Sequence, residues 1–219
     1  MFSLSLQNLY HNVYLIDLAR KSSIVDQDFQ LSIDGNIYAF DSTTIDICLG
    51  VFWWATFKKT KGGIKLHTLY DIKTSIPFIV HVSPASVHDV NALDLLYYEP
   101  GGYYIFDRGY VDYKRLFRIQ QNSAFFVIRA KDNLQFRRIY SNKVNKDNGV
   151  LLDRIGKLTV FYASKKYPEN LRRVKFYDEE TENVLEFLSN NFDLTAEEIA
   201  QLFKYRWKVE LFFKWINST

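Results

Sequence analysis

Asp41, Asp107 and Glu210 are the three acids whose settings suggest chemistry. Asp41 follows the apolar run Ile37-Tyr38-Ala39-Phe40 and precedes Ser42-Thr43-Thr44. Asp107 follows Tyr104-Ile105-Phe106 and precedes Arg108-Gly109-Tyr110, and Glu210 lies in the amphipathic helical run Tyr205-Arg206-Trp207-Lys208-Val209-Glu210. Both aspartates are expected to end apolar strands. Carboxylates in such places suit hard, oxygen-preferring cations such as Mg²⁺. Two cations about 4 Å apart can activate an attacking oxygen and stabilise a leaving one in phosphoryl transfer. Either aspartate alone reads as a turn residue. Two strand-end aspartates followed by a helical glutamate predict a site for cutting and joining phosphodiester bonds.

The residues around these acids extend the same reading. On a helix, Arg206, Glu210 and Lys214 share one face, and position 217 falls almost directly over 210. An exposed ladder of this kind ordinarily contributes well under about 1 kcal/mol per pair. Framed by Trp207, Leu211, Phe212, Phe213 and Trp215, it instead predicts a phosphate clamp of Arg206 and Lys214 beside a metal ligand. Arg108 adjoins Asp107 and is placed to orient it or to bind phosphate. Lys58, Lys59, Lys61 and Lys65 form a basic run around Gly62-Gly63, read as a flexible loop able to meet a phosphate backbone or simply solvent. His67 is read as structural, since it has no metal-pair spacing with His88. The four tryptophans are expected in the core. Ser42 lacks the Gly-x-Ser-x-Gly frame of a hydrolase nucleophile, and no glycine-rich Gly-Lys-Ser/Thr phosphate loop occurs.

The elements that must position these residues follow from periodicity and turn signals. Three- and four-residue apolar spacing predicts a helix over 5–20, and Asp34-Gly35 predicts a turn. Strands are expected at Ile37–Phe40, Ile64–Tyr70, Phe78–Val82, Tyr103–Phe106 and Phe125–Ile128. A helical run opens at His88-Asp89, and Asp112 is expected to cap another containing Leu116 and Phe117. Residues 132–180 turn polar and β-like, with basic pairs at Arg137-Arg138, Lys165-Lys166 and Arg172-Arg173. A last strand is expected at Val184–Leu188. Thr195 and Glu198 form a capping-box pattern ahead of one helix carrying Ile199, Leu202, Phe203, Arg206, Glu210 and Phe213. These readings divide the chain into 1–34 (a residual helical segment), 35–131 (the first part of a core), 132–180 (a β-rich insertion) and 181–219 (the last strand and the glutamate-bearing helix).

Composition bounds the partners. The 219 residues are 47% hydrophobic and 17% aromatic, which argues against disorder and allows a sizeable core. A net charge of +3 permits nucleic-acid binding without demanding it. The single cysteine, Cys48, excludes an internal disulfide and a cysteine-cluster zinc site. No apolar stretch approaches the roughly 20 residues of a membrane span, and the N-terminus lacks a signal-peptide pattern. The expectation is a soluble, cytoplasmic protein with no membrane partner.

From about residue 35 to the end, the chain resembles the catalytic domain of bacterial insertion-sequence transposases, the DDE type of the IS-four family. The matching segments are Phe40-Asp41-Ser42-Thr43-Thr44, Lys65-Leu66-His67, His88-Asp89, Phe106-Asp107-Arg108-Gly109-Tyr110, Phe126 to Lys131 and Tyr205-Arg206-Trp207-x-x-Glu210-Leu211-Phe212-Phe213-Lys214-Trp215. The resemblance implies an α/β, ribonuclease-H-like fold: a mixed sheet flanked by helices, with a β-rich insertion before the last catalytic helix. It implies Asp41, Asp107 and Glu210 as catalytic, metal-binding acids for Mg²⁺, with Mn²⁺ as substitute and two ions in the site. It also implies double-stranded DNA as partner, at insertion-sequence ends and at the target, and a homodimer in a synaptic complex. The implied activity is cut-and-paste transposition by strand cleavage and strand transfer. The family's last-helix signature places a tyrosine where Phe203 stands and a lysine where Asn217 stands, with Tyr205 displaced by two. Only about 34 residues precede the first motif, and the chain stops at Thr219, where family members continue. The alternative expectation is therefore a truncated, impaired remnant that binds DNA, or dimerises with a full-length transposase and inhibits it. A weaker third is a stand-alone ribonuclease-H-like nuclease.

Overall fold

The computed structural model describes residues 29–47, 56–58 and 61–218. The predicted helix over 5–20 lies outside them, as do Lys59 and the side chains of Lys58 and Lys61. The chain forms two compact units, one of residues 1–95 with 206–219, the other of residues 96–205.

The first unit is an antiparallel sheet with a helix on it. Strand β1 (Ile37–Ile47) pairs with β3 (Lys61–Asp71), which also pairs with β4 (Ile76–Pro84) and with the short β2 (Thr56–Lys58). Ile37, Tyr38, Ala39 and Phe40 are all buried, as the apolar run requires. The β3–β4 turn is built by Asp71, whose Oδ1 accepts the backbone N–H groups of Lys73 (2.9 Å) and Thr74 (3.0 Å). A 3₁₀ helix follows at Asp89–Leu95, where the sequence suggested a helical run. Helix α4 (Trp207–Ser218) lies against β1, burying Val209 and Phe213.

Two boundaries differ from expectation here. Strand β1 does not end at Asp41; it continues through Thr43, Thr44, Ile45 and Ile47, in register with Leu66 to Gly62. The β-branched residues after Asp41 prefer the extended backbone, and β3 supplies their hydrogen-bond partners. The supposed loop over Lys61-Gly62-Gly63 is the start of β3, where pairing with β1 and β2 overrides the low strand preference of lysine and glycine.

The second unit holds a mixed sheet. Strands β5 (Tyr103–Phe106) and β6 (Phe125–Arg129) are parallel and joined through helix α1 (Tyr113–Gln121). Strand β10 (Asn183–Ser189) pairs antiparallel with β6 and with β9 (Leu171–Asp178). Antiparallel β8 (Val150–Leu158) and β7 (Phe136–Ser141) continue outward from β9, and the short helix α2 (Phe161–Lys166) joins β8 to β9. Asp112 caps α1 as expected, its side chain accepting Arg115 N–H at 3.0 Å. The fold is the α/β, ribonuclease-H-like architecture expected, with a mixed sheet and flanking helices.

Polar side chains fix the corner between β10 and helix α3 (Ala196–Lys204). Asn190 bridges Phe126 N–H (2.8 Å) and Ala124 C=O (2.9 Å), while Asn191 Oδ1 accepts the N–H groups of Asp193 and Leu194. Arg172 forks onto buried Asp153 at 2.9 and 2.8 Å and also donates to Leu194 C=O. Thr195 and Glu198 then close the capping box. Thr195→Ala is expected to cost about 1 kcal/mol in denaturant unfolding. No loss beyond about 0.3 kcal/mol would mean that the surrounding asparagines hold the corner unaided.

Helix α3 ends at Lys204, and α4 starts only at Trp207, so the single predicted helix is two. Neither proline nor glycine stands at Tyr205-Arg206. Arg206, within the interruption, bonds to Asp41 far away in sequence, a contact that periodicity cannot reveal. Trp207 and Trp215 are 45% and 65% exposed, against the expectation of core positions. They flank the outer side of α4, whose inner stripe is taken by Val209 and Phe213. No described helix is long and apolar enough to cross a membrane.

Candidate active site

Strand alternation puts Ala39, Asp41 and Thr43 on one face of β1. Their partners Tyr70, Thr68 and Leu66 share that face of β3. Helix α4 covers it: Phe212 packs on Tyr70 with ring centroids 5.5 Å apart, and Asn217 Nδ2 donates to Thr43 Oγ1 at 3.5 Å. Position 217, where the family pattern has lysine, thus faces the strand that carries Asp41.

Arg206 ties the acids of this unit together. Its Nη1 donates to Asp41 Oδ2 at 2.8 Å and its Nη2 to Glu210 Oε1 at 2.6 Å. Asp41 and Arg206 are 165 residues apart in sequence, so only the fold makes the first contact. The Asp41–Arg206 pair is mostly withdrawn from solvent (20% and 17% exposed), whereas Glu210 is 45% exposed. A planar guanidinium can serve two carboxylates at once, and here it offsets the repulsion between them while leaving the cluster a net negative charge. Lys214 stands exposed on α4 one turn beyond Glu210.

The opposite face of β1 and β3 carries a network that the sequence did not disclose. Ser42 Oγ donates to Asp89 Oδ1 at 2.7 Å, and Lys65 Nζ lies 3.0 Å from the same oxygen while donating to Val87 C=O at 2.9 Å. Lys65, expected as a phosphate contact, is thereby held within its own unit. His67 is 1% exposed; its Nε2 lies 2.8 Å from Ser83 Oγ and its Nδ1 3.9 Å from Asp89 Oδ1. The partners of Asp89 come from β1 and β3, distant in sequence, which is why spacing alone gave no signal. Burial works to raise the Asp89 carboxyl, but hydrogen bonds from Ser42 and Lys65 outweigh it and hold the carboxyl below its usual range. Burial also holds the His67 imidazole below its usual value, outweighing the attraction of Asp89.

The His67 shift has a sign that can be checked. An imidazole harder to protonate in the folded state contributes stability that is fully present above its unfolded value of about 6.5 and is lost as pH falls from there through its lower folded value. The Tm is expected to drop between pH 7.5 and pH 5.5, and His67→Gln to flatten that drop. An equal slope in the variant would remove His67 from the account.

Asp107 belongs to the second unit. It directly follows β5, whose four residues are all buried, at the carboxyl end of the parallel β5–β6 pair. That end of a parallel pair is where α/β sheets place their ligands. Its extended backbone starts a 3₁₀ turn, Arg108–Tyr110, with Tyr110 N–H bonding to Asp107 C=O at 3.0 Å. The Asp107 carboxylate is half-buried and makes no ion pair or side-chain hydrogen bond among the described residues. Arg108 turns instead to Asp132 at 3.4 Å, with both side chains well exposed.

The donor chemistry of Asp41, Glu210 and Asp107 suits a hard divalent cation, since all are carboxylates. Within either unit, no three described His, Cys, Asp or Glu side chains are gathered as a ligand set. In the first unit the guanidinium of Arg206 is the cation between the two acids.

Known proteins bear on this arrangement. A family model for the transposase DDE domain matches residues 33–219. "Putative transposase y4zB" of Sinorhizobium fredii is 34% identical over 170 residues, covering 75% of this chain and 47% of that protein. "Probable transposase for insertion sequence element IS5377" of Geobacillus stearothermophilus is 28% identical over 186 residues, covering 81% and 47%. A similar protein from Synechocystis, named as a transposase for insertion sequence element IS4SA, is 22% identical and covered to 50%. The chain spans about half the length of these curated relatives. The matched region contains Asp41, Asp107, Arg206 and Glu210 and accounts for most of the chain, which belongs to the transposase DDE-domain family.

Proposed function

We propose that this chain is the catalytic domain of an insertion-sequence transposase, which cleaves DNA strands at the element's ends and joins them to target DNA. The observation that carries the reading is the Arg206 bridge between Asp41 and Glu210, at 2.8 and 2.6 Å. Two family acids from opposite ends of the sequence are held as one charged cluster, on a strand and a helix that otherwise have little reason to present acids to each other.

Asp41, Asp107 and Glu210 are the residues that would hold divalent cations, Mg²⁺ or Mn²⁺. Such ions supply charge stabilisation at the attacking and leaving oxygens of phosphoryl transfer. Arg206 orients the Asp41 and Glu210 carboxylates and offsets part of their negative charge. With a phosphodiester present, its planar fork is suited to bidentate contact with the non-bridging oxygens. Lys214 and Arg108 offer further exposed cations for the same backbone. Ser42, Lys65 and Asp89 hold β1 against β3 from the opposite face and so fix the strand from which Asp41 projects. The working assembly proposed is a homodimer on DNA.

The test is divalent-metal-dependent nicking of a duplex carrying the element's ends, measured for the wild type and for Asp107→Asn. Loss of nicking in the variant supports the reading, and undiminished nicking overturns it.

A further inference from the structure

The outer sheet of the second unit gathers basic side chains on one face. In the β8–β9 register, Arg154 stands directly opposite Arg173. Like charges directly opposed across an antiparallel pair are destabilising. Alternation places Lys175 on the same face as Arg173, and Gly156 on the same face as Arg154. Gly156 pairs with Arg138 of β7, which brings a fourth cation to this face. A Cβ at Gly156 would collide with Arg137 C=O and the Phe136 ring, so β7 and β8 approach closely there.

Four cations on this face share one carboxylate. Glu186 of β10 takes Arg173 Nε at 2.6 Å and Lys175 Nζ at 3.1 Å. Arg138 and Arg154 make no ion pair among the described residues, although Arg154 is half-buried. Asp153 points to the other face, where Arg172 and Asn142 take its oxygens. The face therefore keeps a net positive row across three adjacent strands, about 10 Å wide at the usual strand spacing.

A row of this width exceeds a single phosphate group. DNA presents one charge per roughly 3.4 Å of axis along each strand, with the phosphates also displaced around the helix, so the row can meet about two neighbouring phosphates. We propose that the face of β7, β8 and β9 bearing Arg138, Arg154, Arg173 and Lys175 binds the sugar-phosphate backbone of duplex DNA. The inference rests on the proposed function, which supplies DNA as the substrate, but adds a surface separate from the acids. Arg–phosphate contacts there position the duplex and carry no sequence information. The opposed pair Arg154–Arg173 is relieved when an anion lies between its members.

The test measures affinity of the full chain for a 30-base-pair duplex of arbitrary sequence, by fluorescence anisotropy at several salt concentrations. Arg138→Gln with Arg154→Gln is expected to weaken binding roughly tenfold or more and to reduce the salt slope by about 2. Its Tm without DNA is expected to be unchanged or higher, because an opposed like charge has gone. Arg138→Lys with Arg154→Lys, which keeps both charges, is expected to retain the salt slope. A control removing two exposed charges elsewhere, Lys114→Gln with Lys166→Gln, is expected to change the slope less. Wild-type affinity and slope in the glutamine variant would overturn the proposal, as would an equal loss in the control. Failure of the proposed function has a different signature: Asp107→Asn would still nick, whatever the arginine variants do to binding.

Discussion

Asparagine at position 107 is expected to reduce metal-dependent nicking by roughly a thousandfold while leaving affinity for duplex DNA nearly unchanged. Metal-based charge stabilisation contributes several kcal/mol to a phosphoryl-transfer transition state, and each 1.36 kcal/mol is tenfold in rate. Asparagine keeps the shape of aspartate but removes the anion that a divalent ion needs. The side chain of Asp107 forms no described ion pair, so the substitution breaks no internal contact and should leave Tm within about a degree. Asp41→Asn and Glu210→Gln should lose rate comparably. Each removes one acceptor of Arg206, so these two should also show changed stability. A variant at 107 that loses stability along with rate would point to a structural role for that aspartate instead.

Arg206→Ala should produce the second large effect, and its metal dependence distinguishes it. Removing the guanidinium leaves Asp41 and Glu210 without the cation that joins them. Hydrogen bonds to charged groups contribute about 1.5–3 kcal/mol. The Asp41 contact is the better shielded of the two, so metal-free Arg206→Ala should lose about 2–3 kcal/mol of stability. Nicking should fall roughly a hundredfold or more, as when a preorganised donor is removed from a polar site. Added Mg²⁺ should raise the Tm of this variant more than that of the wild type, because a divalent ion restores the missing positive charge. Arg206→Lys keeps a charge but not the two-carboxylate fork and should fall between the two. Equal Mg²⁺ responses in wild type and Arg206→Ala would make the bridge incidental to the metal site.

Much of the scaffold was legible because it depends on local signals. The apolar runs before Asp41 and Asp107, the Asp112 cap and the Thr195–Glu198 capping box each stand where hydrophobic pattern and capping chemistry put them. Strands in the polar stretch from 136 to 178 were likewise expected, though not that they extend the sheet through β10. The features missed are long-range. The break at Tyr205-Arg206 has no proline or glycine to announce it. The Ser42–Asp89–Lys65 cluster joins residues 47 and 24 positions apart, each within a segment noted in the sequence but with no spacing that links them. Helix α4 exposes Trp207 and Trp215 because Val209 and Phe213 already fill its inner stripe, a choice that hydrophobicity alone cannot make. For the proposed site, the sequence singles out the three acids by their framing, whereas the contact of Arg206 with Asp41 and Glu210 needed three-dimensional proximity.

Asp41, Asp107 and Glu210 are each proposed as a ligand of divalent cations. Isothermal titration calorimetry of Mn²⁺ into the wild type, Asp41→Asn, Asp107→Asn and Glu210→Gln tests it without requiring turnover. Loss of even an outer partner of a metal site typically costs 10–100-fold in affinity, so each direct ligand should cost at least about tenfold. The account predicts Mn²⁺ binding by the wild type and at least that loss in all three variants. Unchanged Mn²⁺ affinity in Asp107→Asn alongside weakened binding in the other two would contradict it, because Asp107 would then not be a ligand.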